Sequence, residues 1–156
     1  MMRRVSRVLL ACVAVSWSGC VPLTFSREPA LDFEVYRHAA VQVSLHGLAG
    51  FYDVTSASVY LASGLEEASG FETVSVGDSE AADVLLSVSV NVTEWVDFSG
   101  DYPDYEYDSA ASFKAIDRNG VVVDSGQVSD SSESPGEAVE DALDEVILHY
   151  LRPYRL

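Results

Sequence analysis

Oxygen-bearing side chains crowd one short stretch of this sequence. Its five acids are Asp97, Asp101, Asp104, Glu106 and Asp108. Clustered carboxylates can hold calcium, which takes about six to eight oxygen ligands. The spacing nevertheless differs from the calcium loop, in which alternating acids precede a glycine and a glutamate closes the loop. We therefore expect a solvated connection between two strands, and a cation site is the alternative.

Aromatic residues in the same stretch suggest a third use for it. Phe98, Tyr102, Tyr105 and Tyr107 are interleaved with the acids. Tyrosine is enriched among the residues that contribute most of the binding energy of protein interfaces. Tyr102, Tyr105 and Tyr107 are therefore candidate anchors of a partner-binding surface.

Residues suited to catalysis do not form a recognisable set. The three histidines, His38, His46 and His149, lack metal-ligand spacing, and no cysteine follows Cys20, so a zinc site is not expected. We expect ordinary packing for the histidines. The sequence also lacks a G-x-S-x-G elbow, an S-x-x-K motif, a Walker loop and a G-x-G-x-x-G loop. It predicts a protein that is not an enzyme, with no catalytic residue, metal or cofactor.

The charge of the chain excludes several partners. There are 25 acidic and nine basic residues, so the net charge is -16. Such a surface repels phosphate backbones and anionic head groups. Nucleic acid is therefore not an expected partner. The acids either keep the domain soluble or recruit cations or a basic partner.

The N-terminus predicts export from the cytoplasm. Arg3, Arg4 and Arg7 precede an apolar run from Val8 to Val15. Its length fits the ~7–15 residues of a signal-peptide core and falls short of the ~20 needed to span a bilayer. We therefore expect residues 1–19 to be a signal peptide.

The residues around Cys20 resemble the bacterial lipobox. Ser18, Gly19 and Cys20 match its two small residues and its modified cysteine, whereas Trp17 stands where leucine is usual. The resemblance implies cleavage after Gly19 and a lipid with palmitate-type acyl chains on Cys20. Each buried methylene contributes about 0.8 kcal/mol to anchoring. Val21 replaces the aspartate of the inner-membrane sorting rule, which favours the outer membrane. An ordinary secreted protein, cut nearby, is the alternative.

The sequence after the expected signal peptide predicts a tether over residues 20–38 and one α+β domain over residues 39–156. Period-two alternation indicates strands, and three- to four-residue spacing indicates helices. The expected order is β-α-β-β-β-β-α, with a largely antiparallel sheet of four to five strands and two helices on one face. Strands are expected near residues 39–46, 72–76, 84–96, 107–117 and 121–123, and helices near 52–68 and 135–151.

Three local signals define the C-terminal half. Asp117-Arg118-Asn119-Gly120 predicts a hairpin turn, because Asn-Gly accommodates the positive φ of tight turns. Residues 129–134 are rich in serine and are expected to form a turn. Ser134, Pro135 and Glu137 form a capping box at the start of the last helix.

The element order, this hairpin and the closing helix resemble small α+β domains of envelope proteins. Examples are the curli-secretion lipoprotein and the N-terminal domain of the Tol–Pal translocation protein. The resemblance covers residues 39–151, and no functional residue is carried over from it. We expect a periplasm-facing, membrane-anchored, non-enzymatic protein that binds another envelope protein. The alternative is a protein that binds a lipid or cation in a cleft between sheet and helices.

Overall fold

A computed structural model describes residues 30–77, 80–100 and 102–151. Two helices lie on one face of a five-stranded sheet. The strands are β1 (His38–Gly47), β2 (Thr73–Val76), β3 (Val84–Asp97), β4 (Asp104–Asp117) and β5 (Val122–Ser132). The helices are α1 (Val54–Ala68) and α2 (Pro135–His149), and a short 3-10 helix (Leu48–Phe51) precedes α1. The predicted α+β class and element order are confirmed.

The strands lie in the order β2-β1-β3-β4-β5. β1 pairs in parallel with β2 and β3, whereas β3–β4 and β4–β5 are antiparallel. Parallel neighbours need a crossover connection, and α1 supplies it between β1 and β2. The two longest ladders are antiparallel, in agreement with the expected sheet.

The core lies between the sheet and the two helices. Its centre is the helix-facing side of β3, where Val84, Leu86, Val88, Val90 and Val92 are at most 1% exposed. Burying a side chain of this type contributes about 1.5–3 kcal/mol. The other side of the sheet, here called the open face, carries small polar residues. The alternation predicted for β3 is therefore confirmed.

The domain begins earlier than its strand pattern indicates. Leu31 is buried in the core, and the Phe33 ring meets the Phe71 ring edge-on, with 5.0 Å between centroids. Residues 30–37, expected in the tether, therefore pack against the domain. The alternation of Leu31, Phe33 and Val35 with two acids spans only five residues, and it did not signal this packing. Cys20 and residues 1–19 lie outside the described residues.

Several boundaries differ from expectation, and β5, for example, ends at Ser132 and not near residue 123. The serine-rich turn predicted over residues 129–134 is wrong as far as Ser132, because Ser129 to Ser132 pair with β4. Serine content favours turns, but a polar strand at the edge of a sheet has the same composition. Helix α1 begins at Val54, since the Asp53 carboxylate accepts a hydrogen bond from the Ser56 amide at 2.7 Å and so caps it.

The predicted N-cap of α2 at Ser134 is confirmed. The Ser134 hydroxyl oxygen accepts a bond from the Glu137 amide at 3.3 Å and donates to the Glu137 carboxylate at 2.9 Å. The predicted hairpin turn also joins β4 to β5. Within the described residues only glycines have positive φ. The positive φ of this turn is therefore at Gly120 and not at Asn119. No described helix is long and apolar enough to cross a bilayer.

Candidate docking surface

The β3–β4 hairpin extends beyond the rest of the sheet. Pairing of β1 with β3 ends at Val92, and pairing of β5 with β4 ends at Tyr107. β3 and β4 continue to pair as far as Asp97 and Asp104. We call residues 93–108 the distal hairpin. At ~3.4 Å per residue, it projects about 17 Å past the end of β1.

The acids of the distal hairpin lie mainly on one face. Asp104, Glu106 and Asp108 alternate with Tyr105 and Tyr107 along β4. Because successive side chains of a strand point to opposite faces, the three acids lie on the open face and the two tyrosines on the helix side. The predicted connection is wrong for Asp97, which belongs to β3, and for Asp104 and Glu106, which belong to β4. Acid content suggested a loop, although the alternation was already that of a strand.

Trp95 is the residue that the sequence interpretation missed. It lies on the open face of β3, opposite Glu106, and its side chain is 53% exposed. Asp97 and Asp104 pair beside it on the same face. The open face of the distal hairpin thus presents an indole ring among carboxylates. The signal was the position of Trp95, two residues after Thr93 on the polar side of β3.

Other aromatic rings surround this face. Phe98 and Tyr102, at the tip, are 76% and 85% exposed, and Tyr105 is exposed on the helix side. Tyr107 is half-buried, and its hydroxyl donates to the Glu94 carboxylate at 3.2 Å. Soluble monomers rarely expose large contiguous apolar patches, which usually mark interaction sites. The candidate tyrosine anchors therefore occupy the helix side and the tip of the distal hairpin, and none of them lies on the open face.

The charge of this surface is negative. The Ser99 amide and hydroxyl each donate to the Asp97 carboxylate at 2.8 Å and hold the pKa of Asp97 below its ordinary value. Desolvation, followed by the Glu94 carboxylate, raises the pKa of Tyr107. Asp97 is therefore ionised and Tyr107 neutral at pH 7.

The candidate cation ligands do not converge. Among the described residues, no group of three or more His, Cys, Asp and Glu side chains could hold a metal ion. Asp97, Asp104, Glu106 and Asp108 are spread along two strands. Asp101 lies outside the described residues. The strand geometry therefore offers no calcium site built from these four acids.

The histidines have separate structural roles. His149 at the end of α2 lies 2.8 Å from the Asp124 carboxylate, and its ring packs 4.7 Å from that of Phe113. His38 contacts the Thr73 hydroxyl at 2.9 Å, and His46 is exposed on the open face. The contact between His149 and Asp124 holds the end of α2 against β5. Asp124 was not foreseen, because its partner is distant in sequence.

The open face also bears a shallow groove of about 550 Å³. It runs from the distal hairpin toward β5 and is lined by Asn91, Thr93, Asp108, Ser129 and Ser131, among others. Its walls are short hydroxyl, amide and carboxylate side chains. The groove lies outside the predicted cleft between sheet and helices.

No family model matches the sequence, and the comparison with curated proteins gives no match. Solved structures do match. The PelC dodecamer from Paraburkholderia phytofirmans has a TM-score of 0.56 and 23% identity, covering 80% of this chain and 94% of that chain. Protein XCC0632 from Xanthomonas campestris, of the DUF330 family, has a TM-score of 0.52 and 14% identity, covering 78% and 84%. A minor lipoprotein from Acinetobacter baumannii has a TM-score of 0.48 and 12% identity, covering 74% and 91%.

The first two matches show a shared fold. Their identities of 23% and 14% are too low to carry a function to this chain. The expected likeness to the curli-secretion lipoprotein and the Tol–Pal domain is not among these three structures and stays a prediction.

Proposed function

We propose that this chain is a non-enzymatic, lipid-anchored assembly component of the bacterial cell envelope, which associates with copies of itself and binds another envelope protein. The observation that carries the proposal is the fold shared with PelC, whose solved structure is a dodecamer. The lipobox-like residues Ser18, Gly19 and Cys20 support the anchor. The absence of catalytic motifs from the sequence is consistent with a binding role.

The directions of the edge strands suit self-association. β2 runs parallel to β1 and β3, and β5 is antiparallel to β4, which is itself antiparallel to β3. β2 and β5 therefore point the same way. A copy in the same orientation can add its β2 to the outer edge of β5. Such head-to-tail contacts generate closed rings when the rotation between copies closes.

β5 has few features that would block such pairing. It has 11 residues and forms one edge of the sheet. Proteins often protect long edges with lysine, proline or bulges. β5 contains neither lysine nor proline, its two charged residues are Asp124 and Asp130, and a register shift occurs only near its start. In the described part of the chain, therefore, no strand pairs with the outer edge of β5.

Cysteine crosslinking in membranes tests this association. The natural cysteines are Cys12, in the expected signal peptide, and Cys20, whose sulfur is expected to be a thioether. Introduced cysteines are therefore the reactive ones. In the full chain, Ser75→Cys on β2 combined with Gln127→Cys on β5 is expected to give a ladder of disulfide-linked multimers.

The matched control replaces the cysteine on β2 with one inside the sheet. Gln42→Cys lies on β1, which has neighbours on both sides, so its combination with Gln127→Cys is expected to stay monomeric. A monomeric native mass for the detergent-solubilised protein, with no ladder from either pair, would contradict self-association.

The anchor has its own test. Intact-mass measurement is expected to show a chain that starts at Cys20 and carries added acyl mass, in the outer-membrane fraction. Cys20→Ala is expected to remove both the added mass and the membrane association. A natural protein that keeps its first nineteen residues would refute the anchor.

The alternative function, binding of a lipid or cation between sheet and helices, has no observation in its favour. In the described part of the chain that space is filled by buried side chains, such as Leu61, Leu143 and Val88. One groove, of about 550 Å³, lies on the open face, and a second, of about 400 Å³, lies at the surface of α1 and is lined by Thr55, Val59 and Tyr60, among others.

A further inference from the structure

The distal hairpin and the first described residues, which follow the expected anchor in the sequence, lie at opposite ends of the sheet. The first described residues pack near Gly70 and Phe71, and β1 begins beside Val84, the first residue of β3. The 14 residues of β3 then run toward the distal hairpin. At ~3.4 Å per residue this separation is about 44 Å. The chain from Cys20 to Ala30 spans at most about 35 Å. An anchored domain can therefore direct the distal hairpin away from its own bilayer.

The charge of the distal hairpin selects a cationic occupant. Residues 93–108 contain six acids and no lysine, arginine or histidine. An anionic membrane or nucleic acid would be repelled. A second copy supplies little positive charge, because residues 20–156 hold 25 acids and only six lysine and arginine residues. Two of the six already pair with acids at the other end of the sheet, Arg37 with Glu72 at 3.5 Å and Arg118 with Asp83 at 3.0 Å.

The side chains of the open face narrow the chemistry of that occupant. Trp95 exposes about half of its surface on an unpartnered sheet face. Its register partner is Glu106, with Asp97 and Asp104 paired beside them. A guanidinium group stacks on an aromatic ring and forms two parallel hydrogen bonds with a carboxylate. A lysine ammonium lacks this planar, forked geometry.

We propose that the open face of the distal hairpin binds an arginine-rich segment of a partner protein, with Trp95 as the stacking platform and Asp104 and Glu106 as the carboxylate partners. The segment lies across the hairpin, and the groove toward β5 gives it a continuation along the open face. This inference names the partner chemistry of the proposed docking role and rests on that role. It requires neither self-association nor a lipid.

The fluorescence of Trp95 can be used to detect binding at this site. Besides Trp17, which is lost with the expected signal peptide, Trp95 is the only tryptophan of the chain. Octa-arginine titrated into the mature lipoprotein, in an uncharged detergent, is expected to change the Trp95 emission saturably. Octa-lysine is expected to bind about threefold or more weakly, because it cannot stack or form the fork.

Charge-matched variants locate the site, with anisotropy of a labelled octa-arginine as the readout. Glu106→Gln, on the open face, is expected to raise Kd about fivefold. Glu94→Gln removes the same charge from the helix side of the same hairpin, and Glu66→Gln removes it from α1. Each of these is expected to change Kd less than about twofold. Trp95→Tyr keeps an aromatic face and is expected to retain binding that Trp95→Leu loses.

Three results would overturn the proposal. Equal weakening by Glu106→Gln, Glu94→Gln and Glu66→Gln would mean general attraction to an acidic protein. Equal binding of octa-arginine and octa-lysine would remove the stacking argument. A Trp95 response to phosphatidylcholine vesicles but not to octa-arginine would identify a membrane as the occupant. By contrast, if the cysteine pairs fail to crosslink but octa-arginine still binds selectively, only self-association is refuted.

Discussion

Replacement of Gly126 by alanine tests the packing of β5 against α2. Gly126 is paired with Phe113, and a Cβ atom built on Gly126 would lie 2.4 Å from the Phe113 Cζ and 3.0–3.1 Å from both Cε atoms. The φ of Gly126 is not positive, so the backbone alone would accept alanine. From backbone entropy alone, Gly126→Ala would stabilise the fold by about 0.5–1 kcal/mol. The structure predicts the opposite sign.

The ring of Phe113 cannot easily move away. It is 2% exposed, and its neighbours are the rings of His149 at 4.7 Å and Tyr150 at 5.8 Å. Overpacking of a filled core costs about 1–3 kcal/mol. Gly126→Ala is therefore expected to lower the free energy of unfolding by about 1–2 kcal/mol, after the entropic gain is subtracted. Urea denaturation followed by circular dichroism measures it.

Two further variants make this test specific. Gly136→Ala in α2 meets only ordinary contacts of 3.9 Å, so it is expected to stabilise the protein by up to about 1 kcal/mol. Phe113→Leu shortens the ring that Gly126→Ala meets. The double variant is therefore expected to be more stable than the sum of the two single losses predicts. Additive losses, or a Gly126→Ala protein as stable as the parent, would refute the reasoning.

Three other predictions concern a cap, a tyrosine and calcium. Ser134→Ala removes the acceptor of the Glu137 amide and is expected to cost about 1 kcal/mol in urea denaturation, whereas Ser134→Asp keeps the cap. A hydrogen bond to Asp144 raises the pKa of Tyr60 to about 12 from 10.0. This hydrogen bond therefore stabilises the fold below pH 10, and its contribution is lost as the pH rises toward 12. Tyr60→Phe is expected to reduce the fall in the free energy of unfolding between pH 10 and pH 12. An unchanged fall over this range would contradict the prediction. Calcium at millimolar concentration is expected to leave the melting temperature unchanged, because the described acids of the distal hairpin do not converge; a clear upward shift would restore the cation site.

The element order was predictable because the strongest patterns are local. The alternation from Val84 to Val92 and the helical stripe of α2 each reflect one buried face, and a buried face determines which residues repeat. The capping residues Ser134 and Glu137 are also close in sequence. Such features appear in any short window of the chain.

Strand neighbours were not predictable in the same way. Periodicity shows which face of β1 is buried, but it does not show that β1 lies between β2 and β3 and runs parallel to both. The contact between His149 and Asp124 depends on that arrangement, since it joins the end of α2 to β5. Leu31 and Phe33 pack without any repeat. These contacts cannot be predicted until the order and register of the strands are known.

The candidate site shows how register changes the interpretation of a sequence. The linear sequence groups Tyr105 and Tyr107 with the neighbouring acids in one candidate surface. In the sheet they point to the helix side, and Trp95, which is distant in sequence, lies beside Glu106. A partner on the open face therefore contacts Trp95 and the carboxylates together, whereas Tyr105 and Tyr107 are out of its reach. Replacing Tyr107, which packs against the core, should therefore affect stability more than docking, and the proposed anchoring role falls to Trp95, which the linear pattern did not single out.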